Sequence, residues 1–200
     1  MVDRQPRPER ADAARNRTRV LAAAADLFAT RGAQQVTMED IARAAGVGRA
    51  TLYRRYPDRA AIANALLDDH ERRIQQQLLD GPPPLGPGAA PAERLAAFYG
   101  AMVELLEDHA HLALATEIGQ SRYTTGAYGF WRAHVRSLLV AAQVPHPDAL
   151  ADVLLAPLAP DLYVHQRNVL RLGSTRIALA LDELAHRVLA RRAAGSSRAG

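Results

Sequence analysis

Between Arg49 and Arg59 the chain reads Arg-Ala-Thr-Leu-Tyr-Arg-Arg-Tyr-Pro-Asp-Arg, mixing long hydrogen-bond donors with small side chains. Arg49 and Arg54 are long enough to reach guanine edges or phosphate oxygens. Ala50 and Thr51 are small enough to let backbone and methyl groups approach bases. The hydroxyls of Tyr53 and Tyr56 suit phosphate oxygens, and Thr37 and Arg59, at flanking helix starts, can clamp the same backbone. This is the chemistry of a surface laid against a duplex.

Such a surface needs elements to hold it. Thr37 opens Thr-Met-Glu-Asp, a capping-box pattern with Asp40 in the role usually taken by Glu or Gln. Ile41, Ala44 and Ala45 give the short helix that follows an apolar face, and Gly46 is a natural left-handed stop. A second short helix is expected from Arg49 to about Tyr56, ended by Pro57, with Asp58 capping the next. Ala42 permits close approach of the two helices, and Val47 and Leu52 fill the wedge between them. Two short helices about a Gly-centred turn are a helix-turn-helix, whose second helix enters the major groove. Upstream, Val20, Ala24, Leu27 and Phe28 fall at helical spacing over residues 11 to 31, before Gly32.

Charge is placed to match. Residues 1 to 60 hold 12 Arg against 7 acids, and the remainder holds 13 against 14. A basic first third beside a near-neutral remainder points to a polyanionic partner for that third. The chain has no cysteine, which excludes disulfides and thiolate metal sites. Its first twenty residues lack an apolar targeting segment and no apolar run reaches membrane-spanning length, so a cytoplasmic, membrane-free protein is expected. Abundant Ala, Leu and Arg with few strand formers favour an all-α fold.

The helix after the motif is expected over 59–79, with Ile62, Leu66, Leu67, Ile74 and Leu78 inward. Gly81-Pro-Pro-Pro-Leu-Gly-Pro-Gly is a loop. Further helices are expected near 92–108, 111–120, 124–143, 147–165 and 174–193, the fourth kinked or split by Pro157 and Pro160. His109 and His111 sit at an expected helix junction, but no carboxylate at helical spacing completes a metal site. No phosphate-binding Gly loop, Gly-x-Ser-x-Gly elbow or His-Glu-x-x-His run is present, so neither enzymatic activity nor a metal or other cofactor is expected. Asp148, Asp152 and Asp161 read as solvated helix positions.

Across residues 15 to 66 the sequence resembles the tetracycline-repressor (TetR) family. The resemblance rests on Ala-Asp-Leu-Phe-Ala-Thr-Arg-Gly, Thr-Met-Glu-Asp-Ile-Ala, Ala-Gly-Val and Thr-Leu-Tyr-Arg-Arg-Tyr-Pro-Asp-Arg. Beyond residue 80 it is one of architecture and length. It implies a basic arm over 1–12, a DNA-binding domain over 13–58, and a ligand-binding and dimerisation domain over 59–195. Residues 196–200 form a tail, and arm and tail are both expected to be disordered. It implies base or groove contacts from Arg49, Ala50 and Thr51, and phosphate contacts from Thr37, Tyr53, Arg55, Tyr56 and Arg59. Gly48 stands where the family often has a capping Ser or Thr, and Glu39 where many members carry a donor, so Glu39 is left out of the site.

The implied function is a repressor that binds a pseudo-palindromic operator as a homodimer and is released by a small-molecule inducer. The last two helices would pair the protomers through Leu150, Val153, Leu154, Leu158, Ile177, Leu181, Leu184 and Val188. Phe98, Tyr99, Met102, Tyr123, Phe130, Trp131 and His134 can line a cavity, with Glu117, Arg122 and His134 for polar orientation, and an aromatic-rich pocket with one acid suits a lipophilic, cationic ligand. Two alternatives stand beside this reading: a DNA-binding regulator without an inducer, and a small-molecule-binding enzyme that keeps the motif as scaffold.

Overall fold

A computed structural model describes residues 8–32, 35–116 and 126–189, with side chains described over 12–32, 35–110 and 127–189. Every regular element among them is helical. The chain divides into two compact units, Met1–Asp69 and His70–Gly200. The division falls within one helix, eleven residues beyond the expected boundary at 58.

The first unit contains α1 (Pro8–Arg31), α2 (Met38–Ala45), α3 (Arg49–Arg55) and the opening of α4 (Arg59–Asp80). Helix α1 starts at Pro8, so residues 8–12, expected in the arm, are helical. Proline suits a first helical position because its missing N–H would have no partner there. Val20, Leu21 and Ala24 from α1 meet Ile41, Ala42 and Ala45 from α2, Leu52 from α3, and Ile62 and Leu66 from α4 in one core. Val47 packs at its margin, so the expected wedge is formed.

The second unit contains the rest of α4, then α5 (Pro91–Thr116), α6 (Gly126–Ala141), α7 (Pro147–Leu155), α8 (Pro160–Asn168) and α9 (Ser174–Leu189). A 3-10 turn at Ala156–Leu158 separates α7 from α8, where Pro157 and Pro160 deny the backbone two donors. Helix α5 is central, packing on α6, α8 and α9. It runs unbroken through His109–His111, where two helices were expected: neither Gly nor Pro interrupts that stretch. Tyr99 is fully buried on α5, and its hydroxyl donates to the Leu154 carbonyl of α7 at 2.8 Å.

The apolar positions of α4 are all inward as expected, Ile62, Leu66, Leu67, Ile74 and Leu78 each being buried. The stripe assigned to dimer pairing is corrected. Leu154, Leu158, Ile177 and Leu181 are buried within their own chain, since α9 spends its apolar face on α5. Leu150, Leu184 and Val188 are half-buried, and Val153 alone of the set is well exposed, at 61%. Asp148 and Asp152 are exposed helix positions, as expected, and they bind Arg136 and Arg132, tying α6 to α7.

Candidate nucleic-acid interface

The motif is built from its caps outward. Thr37 Oγ1 accepts from the Asp40 N–H at 3.1 Å, while Asp40 Oδ2 accepts from the Thr37 N–H at 3.1 Å and from its hydroxyl at 2.7 Å. This is a closed capping box. The bonds from Thr37 hold the Asp40 carboxyl below its ordinary range. Thr37 therefore starts α2, and its hydroxyl proton is already given to Asp40.

Gly46 ends α2 at φ 61° and ψ 42°. The Val47 N–H reaches Ala42 O at 3.0 Å and the Gly46 N–H reaches Arg43 O at 3.2 Å, closing the helix in a Schellman pattern. Arg19 of α1 then clasps the turn from outside. Its Nη2 donates to Ala45 O at 2.5 Å and to Gly46 O at 2.7 Å. The positive φ at Gly46 favours glycine, and a Cβ there would lie 2.6 Å from that same Nη2, so a larger residue would push the Arg19 clasp aside. Neither Arg19 contact is written in local spacing.

Helix α3 begins without a side-chain cap, as Gly48 implied. Leu52 is its inward anchor at 2% exposure. Arg49, Ala50, Thr51, Tyr53, Arg54 and Arg55 are exposed. Tyr56 departs from expectation: it is 6% exposed and belongs to the core, so it is left out of the contact surface. Arg55 Nη1 donates to Ala13 O of α1 at 3.3 Å, and Arg59 Nη1 donates to Val36 O at 3.0 Å. Both guanidinium groups thus brace neighbouring segments. Thr37, Tyr53 and Arg59 line one shallow recess of about 480 Å³ with Val36, Met38, Pro57 and Asp58.

Glu39, set aside from sequence, lies beside this surface. The Tyr53 hydroxyl donates to its Oε1 at 3.3 Å. Below the motif, Arg17 Nη1 donates to Asp69 Oδ1 at 2.7 Å, tying α1 to α4 across 52 positions.

In the second unit the structure brings together part of the expected ligand set. Phe98 lies 5.7 Å from Trp131 and 5.4 Å from His134, centroid to centroid, and Phe130 packs edge-on to Trp131 at 5.5 Å. Phe98, Tyr99, Met102 and Trp131 are buried. His134 is held neutral, its pKa lowered to about 4 by burial and, secondarily, by the charge of Arg94. Arg94 Nε and His134 Nε2 are both buried without a hydrogen-bond partner among the described residues. Glu117, Arg122 and Tyr123 lie outside the described residues, as does the side chain of His111.

Comparison with known proteins adds to this geometry. Residues 20–66 match the model of the bacterial regulatory proteins of the tetR family. Over 124 residues the chain is 32% identical to an uncharacterized HTH-type transcriptional regulator of Mycobacterium tuberculosis, covering 62% of this chain and 59% of that one. Over residues 20–66, therefore, the chain is similar to the tetR-family regulators.

The chain spans less than two thirds of that relative's length. The fold is shared more widely. NalD, the secondary repressor of the MexAB-OprM multidrug efflux pump in Pseudomonas aeruginosa, aligns with a TM-score of 0.51 at 19% identity, over 91% of this chain and 99% of NalD. SmeT in its triclosan complex aligns with a TM-score of 0.56 at 15% identity, over 86% and 90% of the two chains. At these identities the likeness is one of fold. No helix among the described residues is long and apolar enough to cross a membrane.

Proposed function

We propose that the protein is a TetR-family transcription regulator, a ligand-responsive repressor that binds a pseudo-palindromic operator as a homodimer. The observation that carries the reading is the outward face of α3. Arg49, Ala50, Thr51, Tyr53 and Arg54 are all exposed on a helix that Leu52 anchors and a capped, glycine-turned α2 supports. Arg49 and Arg54 read bases or phosphates, Ala50 and Thr51 let the helix sit deep, and Tyr53 with Thr37 and Arg59 lines the recess offered to a phosphate.

One such unit covers a small footprint, so two copies on successive grooves are proposed. Val153, Leu162 and Leu179 remain exposed on α7, α8 and α9, and support self-association there. The inducer site is proposed around Phe98, Trp131 and His134. The buried Arg94 Nε favours a ligand with an apolar body and an acceptor or anionic group, rather than a cationic one. The structural relative SmeT is described in complex with triclosan, a small molecule, which is consistent with this reading. The complete burial of Phe98 and Tyr99 favours the second reading, a regulator with a filled core and no inducer.

Gel shift with the duplex upstream of the protein's own gene tests the proposal. A retarded band at low salt, released by an apolar acid, is expected. Failure to bind any duplex at low salt would end the DNA reading, and binding that no small molecule relieves would leave the second reading.

A further inference from the structure

Beyond the motif, on α4 and α5, three metal-ligating groups converge. His70, in the part of α4 that belongs to the second unit, meets Asp108 and His109 of α5. One donor atom from each lies within 4.8 Å of the others. His70 Nδ1 is 4.0 Å from Asp108 Oδ2. The two imidazoles stand nearly perpendicular, at 84°, with centroids 5.4 Å apart. His70 is mostly enclosed, its side chain 18% exposed, whereas Asp108 is 63% exposed and open to solvent.

We infer that His70, Asp108 and His109 form a binding site for a divalent transition-metal ion of the zinc class. Two imidazoles and one carboxylate are borderline ligands suited to Zn²⁺ and Co²⁺, whereas Mg²⁺ and Ca²⁺ prefer oxygen alone. Zinc takes nitrogen and carboxylate oxygen at about 2.0–2.2 Å, so neighbouring donors in a tetrahedron stand roughly 3.3 Å apart. The donors here stand within 4.8 Å of one another, wider than that by at most about 1.5 Å, a gap that rotation of the exposed Asp108 carboxylate and turns of the two rings can close. Three protein ligands leave a fourth position for water or for a donor from a small molecule.

The ligand set spans two helices. His70 lies 38 residues from Asp108 in the sequence, so no local motif announces the site. Adjacent residues on a helix point about 100° apart, and His70 supplies the position toward which Asp108 and His109 both turn. Bound metal would link the last three turns of α4 to α5 and stabilise the second unit by mass action. The inference stands apart from the DNA and inducer readings, since it requires neither.

The test uses the full chain, stripped with a chelator and titrated with Co²⁺, then with Zn²⁺. One cobalt per chain with the visible band of a tetrahedral nitrogen–oxygen site is expected, displaced by zinc, together with a zinc-dependent rise in Tm. H70Q and H109Q should lose the band at the cobalt concentration that saturates the parent. D108N, at an exposed position that leaves packing intact, should weaken it, and H186Q should not change it. Absence of cobalt binding by the parent would overturn the site. So would an unchanged band and affinity in D108N and H70Q.

Discussion

The hydroxyl of Tyr53 donates to the carboxylate of Glu39 at 3.3 Å, across the turn that joins α2 to α3. A donor expected to serve a phosphate thus rests on an acid, at the surface where a polyanion would dock. Binding a duplex would require the hydroxyl to turn from Glu39 to a phosphate oxygen, while Glu39 repels the same backbone or accepts from a cytosine amino group. Tyr53→Phe is expected to weaken binding to all duplexes alike. Glu39→Gln is expected to tighten low-salt binding to random duplex by roughly two- to tenfold, by removing a negative charge within a Debye length of the phosphates. Titrations with specific and random duplex at two salt concentrations check both. Weaker random-duplex binding by Glu39→Gln would contradict the argument.

Arg49 opens α3 and is exposed. Arg49→Ala should lose about 1–3 kcal/mol on the preferred operator and less on random sequence, relaxing base preference at one position. Equal losses on the two duplexes would assign Arg49 to the phosphates instead.

Thr37 and Asp40 close the capping box of α2. Thr37→Ala removes the acceptor for the Asp40 N–H and should lower stability by about 1 kcal/mol. Thr37→Ser should restore most of it, because the hydroxyl remains. Urea unfolding of the three proteins decides the point, and a Ser variant no better than Ala would show that the methyl group, not the cap, was lost.

His134 ties stability to pH. Burial first, and Arg94 second, lower its pKa to about 4 in the fold, against the ordinary 6.5 of the unfolded chain. Between those values the unfolded chain takes up a proton that the folded one refuses. The contribution is therefore fully present above pH 6.5, is lost as pH falls toward 4, and levels off below. Its size is at most about 3 kcal/mol. His134→Gln should flatten the dependence of unfolding free energy on pH in this window relative to the parent. Parallel curves for the two proteins would refute the assignment.

The first unit was largely legible because its signals are local. The capping box occupies four consecutive residues, Gly46 and Gly48 mark their own roles, and Leu52 follows from helical spacing. Tyr56 was misread because a tyrosine at the end of α3 satisfies either a core or a phosphate, and only its neighbours decide between them. The second unit was legible as helices but not as surfaces. On α9 the residues that could pair protomers and those that pack on α5 are equally apolar, and Ile177 and Leu181 prove to be the latter. The contacts missed altogether, Arg17 with Asp69 and Arg94 with the Leu78 carbonyl, join positions that only folding brings together.

The clasp of Arg19 on the carbonyls of Ala45 and Gly46 has a practical corollary. The angle between α2 and α3 is not the property of a two-helix hairpin. It is also braced by a guanidinium from a helix that begins thirty residues earlier in the chain than Met38. A peptide covering only α2 and α3 would keep Arg49, Ala50, Thr51, Tyr53 and Arg54, yet would lack the external brace on its turn. The smallest transplantable reading head is therefore a three-helix object, and grafts onto other scaffolds should carry α1 with them.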